Sequence, residues 1–94
     1  MVKENHCDLL LTGGAVITVD NDRRVLESGA IAIQNQKIVA VGTTDELADY
    51  EAKRRVNCKG KLITPGFVDC HNHTADALLR GIGEGMSLWP WLRL

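Results

Sequence analysis

Short apolar runs separated by polar breaks mark residues 1–64 as strands joined by turns. Leu9-Leu10-Leu11-Thr12 ends at Gly13-Gly14, a pair that signals a turn. Ala15-Val16-Ile17-Thr18-Val19 is apolar and β-branched, which suits a pleated, half-buried surface, and Asp20-Asn21-Asp22 breaks it. Ala30-Ile31-Ala32-Ile33 and Lys37 to Gly42 flank Gln34-Asn35-Gln36, a spacing that predicts a hairpin. Thr43 stands three residues before Glu46, the spacing of a capping box, and predicts a short helix through about Ala52. Arg55-Val56-Asn57-Cys58 predicts one more strand before the Lys59-Gly60-Lys61 turn. Short strands with a turn every few residues fit the strands of a small β-sandwich.

After Pro65-Gly66 the pattern changes. Phe67-Val68-Asp69-Cys70-His71 has strand length and runs directly into Ala75, Leu78, Leu79 and Ile82, which recur at helical spacing. Gly81, Gly83 and Gly85 end that helix, and Ser87 opens a second one with Pro90 tolerated in its first turn. A strand followed by helices is the opening of an α/β unit. The boundary therefore falls near residue 64, with 1–64 a partial β-sandwich and 65–94 the start of a second domain.

Composition removes several function classes. Eleven basic and twelve acidic side chains leave a net charge of −1, without the basic footprint of a nucleic-acid binder or a membrane-surface helix. With 45% hydrophobic residues, a disordered tail is disfavoured. The longest leucine run is three residues, short of the roughly 7–15 of a signal peptide and the roughly 20 of a membrane span. Cys7, Cys58 and Cys70 are odd in number with no CxxC pair, which points to free thiols and a cytoplasmic protein.

The chemistry concentrates in Asp69-Cys70-His71-Asn72-His73. On a strand, side chains two apart share a face. Asp69, His71 and His73 then project together, while Val68, Cys70 and Asn72 take the other side. Two imidazoles on one face suit a single cation, about 2.0–2.1 Å from each ring nitrogen for zinc. Asp69 would orient a histidine ring by accepting its other N–H. The remaining features are bland. His6 reads as a solvated tail residue, and Glu51, Lys53, Arg54 and Arg55 as a solvated face. Asp76 and Arg80 read as a surface pair. Gly81-x-Gly83-x-Gly85 follows a helix and lacks phosphate-cradle spacing. Glu84 falls in this glycine-rich loop rather than at a catalytic position.

The order of these features resembles the N-terminal part of the amidohydrolase superfamily, the metal-dependent hydrolases. The turn at Gly42, the approach Gly60-Lys61-Leu62-Ile63-Thr64-Pro65-Gly66 and the strand Asp69-x-His71-x-His73 carry the resemblance. Leu78-Leu79-Arg80-Gly81-Ile82, followed by Leu88-Trp89-Pro90-Trp91-Leu92, is similar to one branch of it. That branch holds the S-adenosylhomocysteine/methylthioadenosine deaminases, the guanine and cytosine deaminases, and the triazine hydrolases.

The resemblance implies a TIM barrel of which residues 65–94 contain only the first strand and helices, since a complete one needs about 250 residues. It implies zinc, or iron as the alternative, held by His71 and His73 with Asp69 behind them. Trp91 is a candidate wall of the substrate pocket. The implied reaction is hydrolytic deamination of a small heteroaromatic amine (a nucleobase, adenosine derivative or aminotriazine) by metal-activated water. The catalytic acid and base are expected beyond Leu94, and the full-length protein is expected to be a homo-oligomer. Neither nucleic acid nor membrane is an expected partner. The 94-residue chain alone is expected to be inactive, metal-poor and prone to associate through its C-terminal segment. Two readings compete: a small β-rich binding module or truncated remnant without catalysis, and a cyclic-amide hydrolase or deacetylase.

Overall fold

In the computed structural model, which describes residues 5–74 and 81–93, the runs on either side of Gly13-Gly14 form one strand rather than two. Strand β1 spans His6–Ile17 and shifts register between Thr12 and Gly14 and again between Gly14 and Val16. Gly13 adopts φ +82°, and a Cβ on Gly14 would lie 3.0 Å from both the Cβ and the carbonyl oxygen of Cys58. The glycines therefore bulge the strand and let a neighbouring backbone approach, which locally looks the same as a turn signal.

Strands β2 (Val25–Gln34) and β3 (Lys37–Thr43) form the expected hairpin. Its turn is Asn35-Gln36 at φ +51° and +63°, so both central residues are left-handed, as a twist-matched two-residue loop requires. Strands β4 (Glu51–Asn57) and β5 (Leu62–Ile63) complete one five-stranded sheet of order β3-β2-β1-β4, with β5 paired to β1. The β1–β2 and β2–β3 pairs are antiparallel, and β4 and β5 each run parallel to β1.

The helix expected from Thr43 does not form, although its capping box does. The Thr43 N–H donates to Glu46 Oε2 at 2.9 Å, and the Glu46 N–H donates to Thr43 Oγ1 at 3.2 Å. Successive turns follow, because Glu51 is already committed to the sheet: its N–H donates to the Asn5 carbonyl at 2.8 Å and it pairs with His6. Only a few residues remain between the box and β4, too few to offset the cost of nucleating a helix. Strand β4 consequently starts four residues before the predicted Arg55, and Lys53, Arg54 and Arg55 are exposed along it.

The turn segment after β3 closes one sheet face. Leu47 packs there with Cys7, Leu10, Ala30 and Ala32, and Leu10 is 0% exposed. Side-chain alternation sends Leu9, Leu11, Ile31 and Ile33 to the opposite face.

The described residues between 65 and 93 do not join this sheet. Among the described residues no strand follows Ile63, so the expected barrel strand Phe67–His71 is absent. A lone parallel strand has no neighbour to take its backbone donors and acceptors, and water takes them instead. The helix predicted through Ala75, Leu78 and Leu79 and the Asp76–Arg80 pair lie on residues outside the described ones. Helix α1 is the short Leu88–Trp91; it starts after Ser87 as expected, buries no residue and packs on none of the strands. The chain measures 71 × 25 × 24 Å with a radius of gyration of 20.4 Å, against about 12 Å for a compact chain of this length. Among the described residues no helix is long and apolar enough to cross a membrane.

Candidate functional site

Two side chains on the backbone of residues 69–74 fold the candidate site. Asp69 Oδ1 accepts the His71 backbone N–H at 3.0 Å, and its Oδ2 accepts Asn72 Nδ2 at 2.8 Å. Asn72 Oδ1 then accepts the Thr74 N–H at 2.6 Å and the Thr74 hydroxyl. These are successive Asx turns, which Asp and Asn form because their short polar side chains reach the backbone two residues on. They bend the chain at Cys70 and His71.

The bend brings the two imidazoles together. His71 Nε2 and His73 Nε2 lie 2.7 Å apart, with ring centroids 4.8 Å apart and planes inclined at 36°. The rings thus meet on one side without the strand geometry that predicted it. Asp69 does not orient an imidazole. Its carboxylate is taken by the His71 backbone and by Asn72, because these donors lie within local reach. Asn72 and Thr74, which complete the turn, were not singled out from the sequence; the signal was present as turn formers spaced two and three apart.

The other expected residues are scattered. Trp91 lies in α1, 39% exposed. His6 is not a tail residue but the first residue of β1, with Nδ1 3.3 Å from Glu51 Oε2 on the adjoining strand. Glu84 is exposed in the turns of residues 81–85. Cys7 and Cys58 are buried free thiols and Cys70 an exposed one.

The donor chemistry fits a metal in part. The two Nε2 atoms share one hydrogen bond, so one of them carries the proton; both would offer lone pairs to a cation only as Nδ1–H tautomers, and their 2.7 Å separation is about 0.6 Å short of the roughly 3.3 Å that two nitrogens take on a tetrahedral zinc. A catalytic zinc takes about three protein ligands, and no group of three or more His, Cys, Asp or Glu side chains suited to a metal exists among the described residues.

The chain is similar to known proteins over most of its length. Residues 29–49, from the end of β2 through the capping box, match the family described as imidazolonepropionase-like composite domain, bacteria. The chain is 40% identical over 90 residues to a 5-methylthioadenosine/S-adenosylhomocysteine deaminase of Syntrophobacter fumaroxidans, covering 95% of this chain and 20% of that protein. A zinc-bound adenosine deaminase structure from Xanthomonas campestris superposes with a TM-score of 0.73 at 34% identity, over 95% of this chain and 20% of that one. A solved chain from Bacillus thuringiensis, covered over 99% of its length and 83% of this one, matches at 32% identity and a TM-score of 0.55. The chain spans about a fifth of the length of the curated relatives it matches.

Proposed function

Because this chain belongs to the amidohydrolase superfamily, we propose that it supplies the first two metal-binding side chains, His71 and His73, of a hydrolytic deaminase. The substrate class is a heteroaromatic amine, with adenosine derivatives favoured by the names of the deaminases it is similar to. The observation that carries this reading is the convergence of the two Nε2 atoms at 2.7 Å, directly after the sheet. Zinc is the metal we favour, with iron as the alternative, since imidazole suits both.

When bound, the metal supplies Lewis acidity that readies a water for attack near neutral pH. The chain's own residues do the positioning. To hold a metal through Nε2, His71 and His73 would each carry the ring proton at Nδ1, and the hydrogen bond between the two Nε2 atoms would give way. Asp69 and Asn72 hold the backbone turn that aims both rings, so they act on the metal through the peptide rather than through an imidazole. Trp91 is our candidate for the substrate-facing wall once the segment before α1 is packed. The remaining ligands and the proton-transfer groups come from outside the described residues.

The test is made on a protein of its relatives' length that carries this chain. H71A and H73A are each expected to lose bound metal, measured by elemental analysis, and to reduce ammonia release from methylthioadenosine, S-adenosylhomocysteine and adenosine to background. A variant that retains both metal and turnover overturns the reading.

A further inference from the structure

We draw no further inference here: the strongest candidate, the apolar groove of about 250 Å³ lined by Val16, Ile31, Ile38, Val41, Ile63 and Pro65 where the chain leaves the sheet, carries nothing because nothing in the structure shows what covers it.

Discussion

Ala30-Ile31-Ala32-Ile33 and Phe67-Val68 are both short apolar runs that read as strands, and they meet opposite fates. The first lies in β2 between β1 and β3, and Ala30 and Ala32 are fully buried. The second has no partner, and its side chains are almost wholly exposed. Strand formation belongs to the pairing rather than to the residues, since β propensity mostly measures fit against neighbours. In the sheet, each ladder hydrogen bond is secured by a neighbour that is itself held by another. In the segment from Pro65 to Thr74, the hydrogen bonds described run between groups only two or three residues apart. That difference separates a region held by long-range pairing from one that carries the proposed ligand pair on local turns.

The largest test of this contrast is Leu10→Ala. Leu10 is the largest fully buried side chain of the described residues, paired with Ala32 across the sheet and covered by Leu47. Truncating a buried leucine costs about 2–5 kcal/mol, against a total of about 5–15 kcal/mol for a small domain. A large fall in the urea midpoint, followed by far-ultraviolet circular dichroism, is expected. An unchanged midpoint would mean that this cluster is not what holds the sheet.

How much of this was legible in the sequence depended on the range of the deciding contact. The β2–β3 hairpin was legible because its turn and its paired runs are adjacent in the chain. The capping box was legible for the same reason, since Thr43 and Glu46 satisfy each other locally. The missing helix was not, because the competing partner of Glu51 is His6, far away in sequence. Gly13-Gly14 could not be told from a turn without knowing that Cys58 packs against Gly14. At the candidate site, the spacing of His71 and His73 correctly placed both rings on one side. The means differed: a strand was expected and Asx turns are found, because a strand there needs neighbours that the described residues do not provide.

A smaller effect sharpens the sheet side of the contrast through pH. Thr18 to Arg24 form the turn between β1 and β2, where the Thr18 N–H and hydroxyl both donate to the Arg24 carbonyl. The Arg24 guanidinium donates to Asp20 at 2.6 Å and the Arg24 backbone N–H adds a bond at 3.1 Å, together holding the Asp20 carboxyl at about 2. A folded-state value below the ordinary 3.8 means that the ionised carboxylate stabilises the turn above that value, and the contribution is lost as pH falls toward about 2. Asp8 is lowered in the same direction, by Lys53 and then by the Asn35 N–H. The urea midpoint of the parent chain should therefore drop between about pH 4 and pH 2. D20N should start lower at neutral pH and fall less steeply, with Asp8 responsible for the slope that remains. Parallel curves for the two proteins would remove Asp20 from the turn's support.

The smallest expected effect, Val68→Ser, tests the other side. In the 94-residue chain Val68 is 91% exposed, and exposed substitutions cost within about 0.5 kcal/mol, so the denaturation curve should barely move. In a protein of the relatives' length, if residues 67–71 gain strands on both sides as the resemblance implies, the same change should cost roughly 1.5–3 kcal/mol, the worth of burying a valine side chain. The two measurements constrain each other. A loss above about 1 kcal/mol in the short chain would exceed the exposed range and mean that the segment packs on the sheet, which dissolves the contrast between the regions. No loss in either protein would mean that residues 67–71 are never buried as a strand, and the proposed metal-binding pair would then lie at the surface. Neutral in one and costly in the other is the result in which the same residues change from a solvated tether to a packed strand when their neighbours arrive.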